Sequence, residues 1–374
     1  MFSLPGNALA TGRTINDQIA VVSMEFPSNF GTVGKVAAVA VVSVIFISWL
    51  QRIRGRRIPT AWTEIGEVSH LCIYPLKSGK AIRCSRLSCT DSGVALGDAR
   101  DRMFLVIDAN GKCQSGREYP RLTQVAAEVV AGRLKLSGPD CDSSVEVVLP
   151  SEGDPVRLRI WEAAAEGIDC GDDAAEWITR YLRARTPLRI LYRSRNVSGK
   201  DLNPGMKKLL KMTKNSTVKS DAGLFSDTFS YHLVTQSSID DLNRRLEDGK
   251  VTLFNFRPNI VVKGEAILPF EEDRWAWVKI GDVVFRFLAP CMRCSFTTID
   301  PETAIRSADR EPIATLKRYR LVRDPRIREL VYTPTMGIYL GARSEGVISV
   351  GDKVFIPETL RAFPETSGQF RSIF

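Results

Sequence analysis

The longest apolar run in the chain is VAAVAVVSVIFISWL at 36–50, with no charged residue in it. Extended to 31–51, with Lys35 snorkelling, it offers about 20 residues, enough for a helix to cross a hydrocarbon core of about 30 Å. Trp49 and Leu50 lead straight into QRIRGRR, where Arg52, Arg54, Arg56 and Arg57 crowd together. A secretory signal would need a basic start and a small-residue cleavage site, and a mitochondrial presequence would be rich in arginine and poor in acids. Residues 1–34 hold one arginine against Asp17 and Glu25. The pattern predicts an uncleaved transmembrane helix at 35–51 behind a tail at 1–34, with the arginines holding the rest on the cytosolic side.

Beyond the anchor the hydrophobic pattern shortens. EVSHLCIYPL (67–76), RMFLVID (102–108), VRLRIWE (156–162) and LRILYR (188–193) alternate in polarity or are rich in β-branched residues, and predict strands. FNFRPNIVV, VVFRFLA and GVISVGDKVFI are strand-like too. A helix is predicted at 172–184, with Asp172 and Asp173 at its start and Trp177, Ile178, Tyr181 and Leu182 on one face. A second runs from Ser237 or Ser238 as N-cap towards Gly249, with Asp240 or Asp241 at the capping-box position. The basic, Gly/Pro/Ser-punctuated stretch 194–224 is read as a linker or mobile loop between a region at 64–193 and one at 225–360. Runs of strands with isolated helices indicate an α+β, mostly β fold built on β-barrels rather than a doubly wound sheet.

Composition changes this picture little. The 374 residues include 44% hydrophobic and 25% charged, ordinary for a globular chain, and the net charge of +9 suits an acidic partner. Motifs exclude more. Only His70 and His232 are present, which rules out a His-rich zinc site and an HExxH protease, and both read as core or edge residues of strands. No GxGxxG follows a strand, and there is no P-loop. A nucleic-acid-binding role would account for the charge and nothing else.

That leaves APCMRCSFTTID at 289–300, where Cys291 and Cys294 bracket Arg293. Structural zinc needs four ligands, and the other cysteines offer only the loose Cys84/Cys89 couple. A thioredoxin-type pair should cap a helix, but the residues after Cys294 are β-prone. The remaining reading is one functional thiolate beside a cation, with Arg293 favouring the deprotonated sulfur and the soft thiolate suited to a redox-active metal.

Six segments in order and spacing then resemble one family. IYPLKSGKA (73–81), DARDRMFLVID (98–108), FSDTFSYHLVTQSSIDDLN (225–243), NFRPNIVV (255–262), APCMRCSFTTIDPETA (289–304) and ISVGDKVF (348–355) are similar to the mitochondrial amidoxime-reducing component family. The resemblance covers about 64–356 and implies an N-terminal β-barrel domain followed by a MOSC domain. It also implies a molybdenum cofactor, a pterin dithiolene with a phosphate tail, whose metal is bound by Cys294. Lys77, Ser78, Arg102, Asp227, Thr228, Arg257 and Arg293 match the family's cofactor-binding positions, and Cys291 does not match the ligand. A phosphate and a polar pterin call for cations and forked donors, and Arg257, enclosed in NFRPN, is a costly residue to leave unpaired. The sequence departs from the family at TFSYH, where Ser-Pro more often follows the threonine. The implied activity is reduction of N-hydroxylated compounds with electrons from cytochrome b5 and its NADH-dependent reductase, at the mitochondrial outer membrane. The alternative is a non-enzymatic cofactor-binding or sulfur-carrying MOSC protein.

Overall fold

Burial follows the side-chain alternation. Arg86–Thr90, Arg133–Ser137 and Val156–Ile160 expose every second residue, as strands with one wet face do, whereas Tyr231–Thr235 is buried at all its positions and Thr335–Ala342 at all but Tyr339 and Ala342. The computed structural model describes residues 57–140, 144–193, 200–213, 215, 217–247 and 249–358. The anchor expected at 35–51 lies outside them, and no helix among them is long and apolar enough to cross a membrane.

These buried strands are among the staves of a closed barrel. Around it run Ile260–Lys263, Tyr231–Thr235, Thr335–Ala342, Val283–Met292, Trp277–Ile280, Lys353–Pro357 and Trp62–Ile73, and the last pairs with Ile260–Lys263 to close the ring of seven. All neighbours are antiparallel except Tyr231–Thr235 with Ile260–Lys263, and that parallel pair is joined through the helix Gln236–Arg245 as parallel pairing requires. Inward-facing Leu71, Ile73, Leu233, Ile260, Val262, Val278, Phe285 and Leu340 belong to the main apolar core.

The strand that opens the 64–193 region is therefore a stave of the C-terminal barrel. The rest of that region forms open sheets. Ala126–Val130, Arg133–Ser137 and Val145–Val148 make one, and Phe104–Asp108, Cys113–Gln114, Val156–Ile160, Ala163–Asp169 and Leu188–Tyr192 another. Only one sheet closes among the described residues, and the open sheets of the N-terminal region share a core with it.

Trp62–Ile73 reaches both neighbours by bending, with irregularities at Glu64/Gly66 and Val68/His70. At the first, backbones approach so closely that a Cβ on Gly66 would collide with the Lys263 carbonyl oxygen. Because the obstacle is backbone, Gly66→Ala is expected to cost about 2 kcal/mol and lower the melting temperature by several degrees. A thermal melt with no shift would show that the seam can relax.

Several local expectations are corrected. The segment at 194–224 is not a free linker where it is described. Asn203 caps the helix Pro204–Met212, whose Met206, Leu209 and Leu210 are buried with Leu288, Val322 and Ile327 while its lysines face outward. Proline at the first turn and an i, i+3, i+4 apolar spacing carried that signal. The Gln236–Arg245 helix is capped by Thr235 instead of Ser237 or Ser238, because Thr235 accepts from the Ser238 N–H and shares Glu272 with the Ser238 hydroxyl. FNFRPNIVV is not one strand: Leu253–Phe256 is a helical turn, capped by Thr252 and Asn255, ahead of Ile260–Lys263. GVISVGDKVFI splits into Gly346–Ser349 and Lys353–Pro357, which belong to different sheets. The predicted helix at 172–184 is present as Asp172–Tyr181.

Candidate functional site

Segments flanking these strands, with residues of the strands themselves, converge on a cleft of about 330 Å³. Lys77 and Ser78 enter it just after the Trp62–Ile73 strand, Asp227 comes ahead of Tyr231–Thr235, and Arg293 and Cys294 follow Val283–Met292. Arg102 and Arg257 complete the set, so seven of the eight sequence candidates line one cavity. Thr228 is buried and is not among the lining residues.

Three of these residues hold left-handed backbone without being glycine: Ser78 at φ 66°, Arg102 at φ 50° and Arg257 at φ 56°. Such conformations persist where surrounding contacts over-determine them, and they concentrate at functional sites. Arg102 is in a turn before the strand Phe104–Asp108 instead of opening it, with its N–H donating to the Tyr74 carbonyl at 2.7 Å. Arg257 ends the Leu253–Phe256 turn, and its left-handed cap turns the chain toward the cleft.

Both guanidinium groups lie on one buried ring, Arg102 at 4.6 Å and Arg257 at 4.2 Å from the Tyr74 centroid. Arg102 pairs with Asp101, whose carboxylate also accepts from the Tyr74 N–H at 3.0 Å and from Asn259 Nδ2 at 3.0 Å. Among the described residues Arg257 has no such counter-ion. It donates from Nη1 to the Gly79 carbonyl at 2.6 Å, and its buried Nη2 has no hydrogen-bond partner among them. Burial and the neighbouring Arg102 push its pKa down to about 10. A buried donor left open beside a second cation suits an anion.

The loop after Cys294 is not the β continuation expected of it. Ser295–Thr298 forms one 3-10 turn with Cys294 at its N-cap, held by Asn255, whose Nδ2 donates to the carbonyls of Thr297 and Ile299 at 3.2 Å each. Phe296 packs against Gly116, where a Cβ would come within 2.6 Å of the ring. Cys294 is an exposed free thiol, whereas Cys291 is buried and burial raises its pKa despite Arg293. Arg293 does not serve a sulfur as expected. Its bonds go to the Met336 carbonyl at 2.9 and 2.5 Å, the Phe256 carbonyl at 2.9 Å, and Nε2 of His232.

His232 was read from the sequence as a bland strand residue and is instead a buried wall of the cleft. Burial and Arg293 hold its pKa well below the ordinary range, so the ring is neutral. A guanidinium can only donate, so Nε2 accepts and the proton sits on Nδ1. Sequence reasoning also missed Asn255, Asn259, Arg117 and Trp161, which line the cleft, and Lys200, which is not part of that lining. Lys200 is buried, bonds to the Ser226 carbonyl, and has a pKa lowered to about 7 by burial and by Lys77. Its only sequence signal was a lysine in a stretch dismissed as linker. Lys77 donates to Asp227 Oδ1 at 2.6 Å and to the Phe225 carbonyl at 3.0 Å. Desolvation opposes the Asp227 charge, but Lys77 overrides it and holds the carboxyl well below the usual range.

No three His, Cys, Asp or Glu side chains among the described residues gather into a metal cage. The exposed Cys294 thiol, the open Arg257 donor and the surplus of cations would fit a metal that brings ligands of its own on a phosphate-bearing carrier.

Fold and cleft define a MOSC-type protein, and the comparisons agree. Residues 65–185 match the MOSC N-terminal beta barrel domain and residues 221–355 the MOSC domain. Mitochondrial amidoxime-reducing component 1 of Danio rerio is 37% identical over 294 residues, covering 78% of this chain and 85% of that protein. Component 2 of Rattus norvegicus is 36% identical over 84% of this chain and 90% of its own length, and component 1 of Homo sapiens 34% over 78% and 83%. The chain belongs to the mitochondrial amidoxime-reducing component family of MOSC-domain proteins.

Proposed function

We propose that the chain is a molybdenum-cofactor oxidoreductase that reduces N-hydroxylated compounds, amidoximes and hydroxylamines among them, with Cys294 as the protein's ligand to the metal. The observation that carries the reading is the exposed Cys294 thiol in one cavity with Arg257, whose buried Nη2 lacks a partner. When bound, the cofactor supplies the two electrons that break the N–O bond. The chain's own residues do the rest. Arg257, Arg102 and Lys77 hold the cofactor's anionic groups. Asn255 fixes the turn that presents Cys294, and Arg293 ties the same loop to the barrel through Met336. Neutral His232 keeps its proton on Nδ1, turned from Arg293, and adds no further positive charge to the cleft.

Electrons come from outside the chain, which has no flavin, nicotinamide or c-type haem motif. Cytochrome b5 and its NADH-dependent reductase are the proposed donors, their acidic surfaces matched to the excess of +9. The proposed site of action is the mitochondrial outer membrane, with the cleft on the cytosolic side and 35–51 as anchor. Molybdenum analysis, with turnover of benzamidoxime by reduced viologen, tests the reading. Stoichiometric metal with turnover supports it, and stoichiometric metal without turnover favours the cofactor carrier.

Anchor and catalyst should separate. The described residues from Ile58 onward form their own compact unit. Deleting 1–57 should leave a protein that loads cofactor and works at near full rate with an artificial donor. It should also leave the membrane fraction, and turn over more slowly with membrane-bound cytochrome b5 as effective concentration is lost. Continued membrane association after fractionation would show a second attachment.

A further inference from the structure

We propose that Trp161 and Asp227 form a recognition element for substrate N–H groups at the cleft, favouring substrates with N–H donors beside the N–O group, such as amidoximes, over tertiary amine N-oxides. The proposal deepens the reductase reading and rests on it.

Trp161 is at the tip of the hairpin joining Val156–Ile160 to Ala163–Asp169. Both residues of that tip are left-handed, Trp161 at φ 49° and Glu162 at φ 69°. Two-residue hairpin turns of this kind are ordinarily made by Asn-Gly or Gly-Gly, for which positive φ is cheap. A tryptophan and a glutamate carry strain there, and packing does not compensate for it, because Trp161 is 49% exposed. What holds the indole is polar. Its N–H donates to Asp227 Oδ1 at 2.7 Å, and the Arg117 guanidinium covers its ring at 4.6 Å.

Asp227 is shaped by the same contact. Trp161 and Lys77 both donate to Oδ1, and among the described residues none donates to Oδ2. The side chain is 54% exposed although its Oδ1 is pinned twice. The result is an ionised carboxylate, fixed in orientation, whose second oxygen can accept a hydrogen bond from a molecule in the cleft. An amidoxime carries an NH2 on the carbon next to the N–OH and can donate to it. A tertiary amine N-oxide has no N–H and presents only an electron-rich oxygen, which the carboxylate repels. A site with a fixed acceptor discriminates strongly against an analogue without the donor, because its polar atom then stays unpaired. Trp161 is a positioning residue here, and Asp227 touches the substrate.

The test uses cofactor-loaded full-length protein, with W161F, which keeps a ring for Arg117 and removes the N–H, and D227N, which keeps the shape and removes the charge. Benzamidoxime and trimethylamine N-oxide are titrated calorimetrically without an electron donor, and KM is then measured for both, with rates normalised to molybdenum content. D227N should weaken benzamidoxime about tenfold and W161F about threefold, in Kd and in KM, with trimethylamine N-oxide unchanged or tighter. Equal changes for the two compounds, or none, would overturn the proposal. If the wild type reduced neither compound, the reductase reading would fail, and the titrations would still judge the recognition element by the same ratio.

Discussion

Cys294→Ser is expected to abolish N-hydroxy reduction while the fold survives. Cys294 is exposed, and its substitution leaves no cavity and breaks no side-chain bond. Its sulfur is the soft donor the metal requires, and a hydroxyl is a hard, protonated substitute. Loss of groups that merely support a metal ligand costs ten- to a hundredfold, so loss of the ligand should cost more than about a hundredfold in kcat. Circular dichroism and the melting temperature should match wild type. Cys291→Ala is the matched control: that thiol is buried, held protonated by burial, and should be replaceable with most activity retained. Full turnover by the Cys294 variant would remove the ligand assignment altogether.

Arg257→Ala should separate cofactor retention from stability. The lost charge-assisted bonds to the cofactor are worth about 1.5–3 kcal/mol, a tenfold to hundredfold loss of affinity. Molybdenum per protein after dialysis should fall accordingly. The cofactor-free protein should not be destabilised to match, because Arg257 has one unpartnered nitrogen and crowds Arg102 on the Tyr74 ring. Alanine meets the same left-handed backbone that arginine already occupies, so the turn adds little. Wild-type metal content in the variant would return Arg257 to a purely structural role.

How far these residues were legible in the sequence depends on their physics. Val156–Ile160 could be read because one face is wet and the alternation shows. Barrel closure could not be read, because Tyr231–Thr235 is buried on both faces and gives no period by which to place its neighbours. Lys77, Arg102, Arg257 and Cys294 were found through motif resemblance, and the cleft that gathers them was not foreseeable from their spacing. Trp161 looked like the end of one strand, and His232 like a core or edge residue of another. Each acquires its part through a contact distant in sequence, to Asp227 and to Arg293. Asp227 was found through the same resemblance, but only the structure shows that its two oxygens differ.

The closing of the barrel by Trp62–Ile73 sets an order for making the protein. That stave emerges from the ribosome early, and its partners Ile260–Lys263 and Lys353–Pro357 late, the last of them near the end of the described chain. Until both are available only its last three residues have a partner, in Ile82–Cys84, and non-local strand pairing of this kind forms slowly. The cofactor site has the same timing, since Lys77 and Arg102 wait for Arg257 and Cys294. A chain halted in the middle of translation would therefore carry sticky staves and no place for the cofactor, a substrate for chaperones and proteases and not a partial enzyme.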